Sequence, residues 1–207
     1  MSAFENPKAR WTQRFATDEY IFGLNANLYL QSHVAQLKSG SVLAIADGEG
    51  RNGVWLAERG FEVHSFDFVD SAVQKARKLA KQREVKLNAM CCDWQEFDWS
   101  FNSYDNIVGI FFQFLGPRER LQLFDKMHQT LKPGGTLLIQ GYSKEQMQYN
   151  TGGPGKLDHL YDENLLLDSF KGYEILDLKT YVQEIQEGRA HSGMSGLLGY
   201  IGRKPFL

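Results

Sequence analysis

Residues 45–53, "IADGEGRNG", govern how the rest of the chain is interpreted. Their glycines, Gly48, Gly50 and Gly53, have the G-x-G-x-x-G spacing that is typical of a turn between a buried strand and a following helix. The run SVLAIA (41–46) is continuously apolar, as expected of a strand with both faces buried. The stretch predicts a strand–loop–helix unit whose backbone can approach a ligand closely. The alternative is that the glycines only make a tight turn.

Further strand and helix patterns alternate after this loop. Strand patterns occur at 61–67, 85–93, 104–112 and 136–142, and two late strands at 173–185 and 196–205 predict a hairpin. Helical patterns occur at 51–60, from Asp70 or Ser71 through VQKARKLAKQ, and at 118–135 and 162–170. This alternation predicts a Rossmann-like, doubly wound α/β fold with a mostly parallel sheet and helices on both faces. Because such sheets bind ligands beyond the carboxyl ends of their strands, the candidate site residues are those that follow each strand.

The composition is that of one globular domain. The chain has 207 residues, 43% of them hydrophobic, and a formal net charge of -2, which gives no electrostatic reason to expect a nucleic-acid or membrane partner. Cys91 and Cys92 are adjacent, so we predict neither a disulfide framework nor a metal site with C-x-x-C spacing. The first residues lack an apolar segment, and the apolar run near 107–116 is about half of a bilayer span. We therefore expect a cytoplasmic protein.

Acids that follow the second and third predicted strands fit an adenosine site. Asp67 ends the second strand 19 residues after Gly48, where an acid typically binds the two ribose hydroxyls. Asp93, beside Trp94, follows the third strand and can accept a hydrogen bond from the adenine amine, with a turn cap as the alternative. Phe68 can pack on the adenine, or it belongs to the core. These features fit both NAD and S-adenosylmethionine (SAM).

The two acids inside the glycine loop distinguish these cofactors. A dinucleotide would place a doubly charged pyrophosphate roughly 4–8 Å from Asp47 and Glu49, where like charges cost on the order of 1 kcal/mol or more each. SAM has no phosphate, and its ammonium and sulfonium groups are cationic. The loop therefore favours SAM.

Five segments in order resemble the class I SAM-dependent methyltransferases. They are VLAIADGEGRNGVWLAERG (42–60), FEVHSFDFVDSAVQKAR (61–77), LNAMCCDWQEFDW (87–99), YDNIVGIFFQF (104–114) and LKPGGTLLIQGY (131–142). Four others are similar to a small bacterial group related to tellurite-resistance methyltransferases: YIFGLNANLYL (20–30), GEGRN (48–52), YNTGGPGKLDHLY (149–161) and EIQEGRAHSG (184–193). The resemblance implies a seven-stranded sheet whose last strand is antiparallel.

The resemblance, together with the positions after each strand, gives a set of cofactor-binding candidates. They are Ala46, Asp47, Gly48, Glu49, Gly50, Asn52, Asp67, Phe68, Cys92, Asp93, Trp94 and Ile110. The loop departs from the common form of the family, because Ala44 and Ala46 occupy positions where an Asp and a Gly are usual. We therefore expect contacts to the methionine part of SAM to shift toward Asp47, Glu49 and the backbone of Ala46 and Gly48.

Methyl transfer from a sulfonium requires little of the protein beyond positioning and exclusion of water, so catalytic residues are difficult to identify from sequence. Gln113, after the fourth strand, is a candidate orienting residue. His191 is a candidate base or orienting residue. Arg118 and Arg189 can line a pocket for an anionic acceptor, although solvated surface arginines are common. Aromatic residues at Trp11, Phe15, Tyr20 and Phe22 predict either a lid or a helix packed on the sheet.

The sequence thus predicts a SAM-dependent methyltransferase whose acceptor is a small molecule, such as a tellurite- or selenite-like oxyanion or a thiol, and whose second product is S-adenosylhomocysteine (SAH). The alternatives are a non-catalytic SAM-fold protein that binds or senses a ligand, and a nicotinamide oxidoreductase. We expect one domain over 1–207, with lid helices at 1–37, a cofactor-binding core at 38–146 and an acceptor-side part at 147–207. No oligomeric state is predicted.

Overall fold

The computed structural model describes residues 7–149, 151–189 and 191–206. Within these ranges the strands are Ser41–Ile45 (β1), Glu62–Asp67 (β2), Leu87–Cys91 (β3), Tyr104–Ile110 (β4), Leu131–Tyr142 (β5), Glu174–Glu187 (β6) and His191–Arg203 (β7). The α-helices are Pro7–Phe15 (α1), Leu28–His33 (α2), Arg51–Glu58 (α3), Asp70–Gln82 (α4), Pro117–Thr130 (α5) and Glu163–Ser169 (α6). No helix of the described residues is both long and apolar enough to cross a membrane.

All seven strands form one sheet with the order β3-β2-β1-β4-β5-β7-β6. Neighbouring strands from β3 to β5 are parallel, whereas β7 is antiparallel to both β5 and β6. The predicted fold class, including the antiparallel last strand, is confirmed. The strand order reverses between β1 and β4, which is the position where open α/β sheets bind their ligands.

Alternate side chains of β1 contribute to two cores on opposite faces of the sheet. Leu43 packs into a cluster that includes Phe124 of α5, and Val42 packs into another that includes Leu56 of α3. Because successive residues of a strand point to opposite faces, a strand covered by helices on both sides must be apolar throughout. This requirement explains the continuous SVLAI run.

Two departures from the predicted boundaries concern β5 and the late hairpin. The helix predicted to reach residue 135 ends at Thr130, and β5 begins at Leu131, which pairs with Tyr104. A helix could not continue through Pro133, so an extended backbone from residue 131 is the alternative that keeps hydrogen bonds. The pairing of β5 with β7 ends at Tyr142 and Leu197, so residues 191–196 of β7 extend beyond the carboxyl edge of the sheet.

Candidate active site

A cavity of about 220 Å³ lies at the carboxyl edge of the sheet. Its walls come from α1, the glycine loop, the ends of β2, β4 and β5, the turn at 152–154 and the first residue of β7. The predicted site residues that line it are Ala46, Asp47, Gly48, Asn52, Asp67, Phe68, Ile110, Gln113 and His191. Residues from distant parts of the sequence therefore line one cavity.

Each glycine of the loop has a separate structural reason. Gly48 and Gly50 have positive φ angles of 57° and 86°, which glycine adopts without strain. A Cβ atom on Gly50 would lie 2.6 Å from the Cβ of Ala76 on α4, so this glycine also permits close helix packing. A Cβ atom on Gly53 would collide with the carboxylate of Asp47. The three glycines thus allow the backbone to turn, bring α4 close to the loop and leave room for the Asp47 carboxylate.

Asp47 lines the cavity, but its carboxylate is bound to the helix that follows. Asp47 Oδ2 accepts a hydrogen bond from the Gly53 N–H at 3.1 Å, in the first turn of α3. Burial raises the pKa of Asp47 to about 7, although the Gly53 N–H and the Arg51 guanidinium favour its ionised form. The side chain therefore caps α3 and occupies a donor that a phosphate would otherwise use.

Glu49 does not line the cavity, which corrects the expectation that both loop acids face the cofactor. Its Oε2 accepts hydrogen bonds from the backbone N–H groups of Ile21 at 2.8 Å and Phe22 at 3.5 Å. Its Oε1 forms an ion pair with Lys75 Nζ at 2.7 Å. The physical reason is that the backbone N–H groups of Ile21 and Phe22 and the Lys75 ammonium satisfy this carboxylate on the side of the strap. Glu49 holds the segment before α2 against the loop.

This segment, residues 19–27, is here named the strap. Lys75 Nζ donates to the Glu19 carbonyl at 2.9 Å, and the Asn27 N–H donates to Asn52 Oδ1 at 2.9 Å. On its other side the strap contacts the β6–β7 turn, because a Cβ atom on Gly188 would collide with the Ile21 carbonyl. The strap thereby joins the glycine loop to the late hairpin, and its Phe22 forms part of the cavity wall.

Asp67 lies at the end of the cavity where the sequence predicts a ribose. Its carboxylate accepts hydrogen bonds from the Gly48 N–H at 3.1 Å and the Val69 N–H at 2.9 Å. Burial raises the pKa of Asp67 to about 6, while the backbone N–H groups act in the opposite direction. Each carboxylate oxygen has a second lone pair for a ligand hydroxyl.

A second depression, of about 420 Å³, lies beside the cavity. Phe68 contributes to both spaces, and Asp93 and Trp94 contribute to the second. The Phe68 and Phe114 rings meet edge to face, with their centroids 5.9 Å apart, between the two spaces. Asp93 Oδ1 also accepts a hydrogen bond from the Gln95 N–H at 3.2 Å, so Asp93 caps this turn. Its other carboxylate oxygen can still accept a hydrogen bond from a ligand.

A buried carboxylate, Glu187, lies behind two residues of the cavity wall, Arg51 and His191. Glu187, at the end of β6, accepts hydrogen bonds from Arg51 Nη2 at 2.6 Å and Asn27 Nδ2 at 2.8 Å. His191 Nδ1 lies 3.8 Å from the same carboxylate. Burial opposes ionisation of Glu187, but His191 and Arg51 outweigh it and hold the pKa of Glu187 at about 2. Burial lowers the pKa of His191, which favours the neutral imidazole.

Aromatic rings surround this imidazole. The His191 ring centroid is 4.4 Å from that of Phe111, 4.5 Å from that of Phe22 and 5.6 Å from that of Tyr142. Phe111 has a φ of 53°, a left-handed conformation that costs of order 1–3 kcal/mol in a bulky residue. The Tyr142 hydroxyl is buried without a hydrogen-bond partner among the described residues. Such a group is satisfied when a ligand supplies an acceptor.

Two predicted catalytic residues have other positions or partners. Gln113 lines the cavity, but its Nε2 donates to the carbonyls of Tyr142 at 2.8 Å and His159 at 3.2 Å, and its Oε1 accepts from the Tyr142 N–H at 2.6 Å. Its amide therefore joins β4 to β5 and is not free to orient an acceptor. Arg118 is exposed in the first turn of α5, where it lines a separate surface depression and not the cavity.

Besides Glu49, two predicted cofactor-binding residues lie outside both spaces. Gly50 faces α4, as described above, and Cys92 is half-buried against the main core, with its N–H donating to the Asp67 carbonyl. The structure also places Arg14 and Arg51 in the cavity wall, together with Tyr142, which the sequence indicates as a candidate at the end of the fifth strand. The position of Tyr142 at a strand end was a usable signal, whereas Arg51 and Glu187 are 136 residues apart and no local pattern indicates that they pair.

Comparison with known proteins identifies the central segment. Residues 42–135 match the family described as a methyltransferase domain. The tRNA (uracil(54)-C(5))-methyltransferase of Pyrococcus horikoshii is 34% identical over 112 residues, which are 47% of this chain and 27% of that protein. The glycine/sarcosine N-methyltransferase of Halorhodospira halochloris is 28% identical over 127 residues, 59% of this chain and 44% of that protein. The chain thus spans less than half the length of either relative.

A solved structure extends the likeness to nearly the whole chain. The N-methyltransferase NodS from Bradyrhizobium japonicum, in complex with SAH, matches with a TM-score of 0.70 and 17% identity, over 97% of this chain and 100% of that one. The chain therefore has the fold of this N-methyltransferase, and residues 42–135 match a methyltransferase domain. The prediction of SAM as the cofactor is confirmed by the match to a methyltransferase domain and by the SAH bound in the NodS structure.

Proposed function

We propose that the chain transfers the methyl group of SAM to a small molecule held in the cavity, and releases SAH. The observation that carries the proposal is the cavity itself. It joins the Asp67 carboxylate and the glycine loop at one end to the ring cluster of Phe111, Tyr142 and His191 at the other. A donor bound along the loop would therefore present its methyl group to an acceptor among those rings.

The residues present fit SAM better than a dinucleotide. Gly53 N–H is bound to the Asp47 carboxylate, and Gly48 N–H to that of Asp67, so these loop donors are not free to bind a pyrophosphate. Asp67 would hold the ribose hydroxyls. The backbone at Ala46 and Gly48 would contact the methionine part, and the second depression, with Asp93 and Trp94, would take the adenine.

SAM supplies an activated methyl group, so the protein's own residues have to position the acceptor and exclude water. The strap and the ring cluster cover the cavity with apolar surface. The Tyr142 hydroxyl can donate a hydrogen bond to the acceptor, and the neutral imidazole of His191 can accept one. Gln113 acts indirectly, because its amide fixes the ends of β4 and β5 on which Phe111 and Tyr142 lie.

The cavity favours a compact acceptor that is anionic or a thiol. The Arg14 guanidinium lies 5.2 Å from the Trp11 ring centroid and 5.6 Å from that of Phe22, and it lines the cavity. Arginine suits oxyanions and carboxylates. A tellurite- or selenite-like oxyanion fits this description, and so does an amino acid such as those named for the Halorhodospira relative. The net charge of -2 gives no support for tRNA, which is named for the Pyrococcus relative.

Calorimetry with SAH tests the cofactor site. We expect SAH to bind the wild-type protein and Asp67→Ala to weaken binding at least tenfold, because the ribose hydroxyls lose their acceptor. Asp98→Ala, which changes an exposed acid, is the matched control and should bind SAH like wild type. Absence of SAH binding to wild type would overturn the proposal.

Release of SAH from SAM in the presence of tellurite, selenite, dithiothreitol, glycine or sarcosine tests the reaction. Turnover with one of these acceptors supports an enzyme with a small-molecule substrate. SAH binding without turnover of any of them would instead support a non-catalytic binding protein, for which the unusual Ala44 and Ala46 are the evidence.

A further inference from the structure

Glu187 joins three parts of the chain around the candidate site: the start of α3, the strap and the β6–β7 turn. Its Oε2 is bound to Arg51, the first residue of α3 after the glycine loop, and its Oε1 to Asn27 of the strap. The same carboxylate faces His191 across the β6–β7 turn. A buried carboxylate with two donors in place has a fixed position, and the ring beside it is constrained to a few orientations.

The two nitrogens of the His191 ring have different surroundings. Nδ1 is fully buried, without a hydrogen-bond partner in the described part of the chain, and lies 3.8 Å from Glu187 Oε2. The ring lines the cavity, so Nε2 is the nitrogen through which it can reach a ligand. A neutral imidazole carries its proton on one nitrogen only, and the carboxylate beside Nδ1 makes that nitrogen the better place for it.

We propose that Glu187 is a positioning residue that keeps the His191 proton on Nδ1 and thereby presents the Nε2 lone pair to the acceptor as a general base. This inference rests on the proposed function and deepens it, because a base is needed only by an acceptor whose nucleophilic atom carries a proton. The acceptor class is then a protonated nucleophile, such as a thiol, selenol or amine N–H, in a molecule small enough for the cavity.

The proton balance of the step is as follows. The acceptor's X–H bond breaks, its proton passes to His191 Nε2, and X forms a bond to the methyl carbon. The bond from that carbon to sulfur breaks, and its electron pair remains on the sulfur, which becomes neutral. The imidazolium is stabilised by Glu187 and later releases the proton to solvent. One proton is released for each methyl group transferred, and neither an oxidant nor a metal is required.

Charged and titratable groups face His191 from four sides. Glu187 of β6 raises its proton affinity, whereas Arg51 of α3 and Arg14 of α1 lower it. Tyr142 of β5 contributes an uncharged hydroxyl near the ring. The other neighbours, Phe22 and Phe111, are apolar. Since Glu187 alone among the described charged neighbours favours the imidazolium, removing its charge should have a large effect on the pKa of His191.

Nitrogen-15 NMR of histidine-labelled protein measures the tautomer directly, with His191→Gln used to assign the signals. In the wild type we expect a protonated-type shift for Nδ1 and an unprotonated-type shift for Nε2. In Glu187→Gln we expect the Nε2–H form to gain population and the pKa of His191 to fall by about one unit or more. Glu174→Gln, which changes an exposed carboxylate on the same strand, is the matched control and should leave both unchanged.

The wild-type spectrum can overturn the proposal by itself, even if Glu187→Gln destabilises the protein by leaving Arg51 without its partner. An unprotonated Nδ1 in the wild type would overturn it, and so would a tautomer that Glu187→Gln does not change. SAH calorimetry separates this result from the proposed function, because SAH binding by wild type tests the cofactor site and does not depend on the tautomer of His191.

Discussion

Asp47 and Glu49 are two residues apart and chemically alike, yet they have different roles. Asp47 binds back to its own helix, while Glu49 holds the strap at Ile21 and Phe22. Neither carboxylate needs a cationic ligand as a partner. The acids do argue against a dinucleotide, although the mechanism differs from simple repulsion, because Asp47 also occupies the Gly53 N–H.

Asp47→Asn should stabilise the protein at high pH. The folded-state pKa of about 7 is above the ordinary value of 3.8, so wild-type stability falls as pH rises between these values, where the folded state binds more protons. An amide does not titrate and can still accept from Gly53. We expect the variant to gain on the order of 2–4 kcal/mol over wild type at pH 8 and little at pH 4.

Urea unfolding at several pH values measures this difference. Asp98→Asn, at an exposed position, should show no comparable dependence of its stability difference on pH. A gain for Asp47→Asn that is the same at pH 4 and pH 8 would contradict the assignment of a buried, titrating carboxylate.

Tyr142→Phe separates stability from function. It removes a buried hydroxyl that has no partner, so the free energy of unfolding should stay the same or rise by about 1 kcal/mol. The rate of SAH release with a productive acceptor should fall roughly 5- to 30-fold, which corresponds to one lost hydrogen bond of 1–2 kcal/mol.

The matched control is Tyr161→Phe. The Tyr161 hydroxyl is also buried without a partner among the described residues, but this residue packs in the main core and not in the cavity wall. Both variants should keep their stability, and only Tyr142→Phe should lose activity. Equal activity of the two variants would exclude the Tyr142 hydroxyl from acceptor binding.

Residues that depend on local pattern could be predicted from the sequence, and those that depend on distant partners could not. The glycines and Asp67 follow directly from the strand–loop–helix unit. The loop pattern predicts that Glu49 faces the cofactor, and it cannot reveal the actual partner, the N–H of Ile21, which is 28 residues away in sequence. Gln113 was placed at the correct strand end, but its hydrogen bonds to Tyr142 were not visible.

At the scale of elements, the strap depends on the ion pair between Glu49 and Lys75. Glu49→Gln should loosen it, because Lys75 would lose a buried charged partner. We expect amide hydrogen exchange across residues 19–27 to accelerate about 10- to 100-fold, which corresponds to about 1.4–2.7 kcal/mol of local stability.

Hydrogen exchange with mass spectrometry measures this effect by segment. Glu58→Gln, which removes a more exposed ion pair with Arg83, should leave exchange in the strap unchanged. If both variants accelerated exchange in the strap equally, the Glu49 ion pair would not be its anchor.

The predicted elements were found where periodicity is strong, and the differences lie at their ends. The apolar core strands begin or end within a few residues of their predicted positions. Lengths of β6 and β7 were underestimated, since residues 186–187 and 191–195 are too polar for a strand pattern. These residues nevertheless form the hairpin tip and include Glu187 and His191. The hydrogen bonds between β6 and β7 hold these polar residues in an extended conformation, which their composition does not predict.

At the scale of the whole molecule, ligand binding should be visible as stabilisation. At 100 times its Kd, SAH should add about 2.7 kcal/mol, which raises the Tm by roughly 5–10 °C for a chain of this size. NADH at the same concentration should not raise the Tm, because the loop has few free donors for a pyrophosphate. Thermal scans with each ligand make the comparison, and stabilisation by NADH alone would favour the oxidoreductase alternative.

The strap and the hairpin tip bring residues near opposite ends of the chain together over the cavity, with Glu19 paired to Arg189. We propose that a nucleoside-sized ligand enters and leaves past this contact, so that the strap and the hairpin tip have to separate in each cycle. The lifetime of the closed state therefore sets an upper limit on the number of catalytic cycles per second, whatever the reactivity of the acceptor. A more nucleophilic acceptor would then raise the rate of methyl transfer in a single turnover but leave the steady-state rate unchanged.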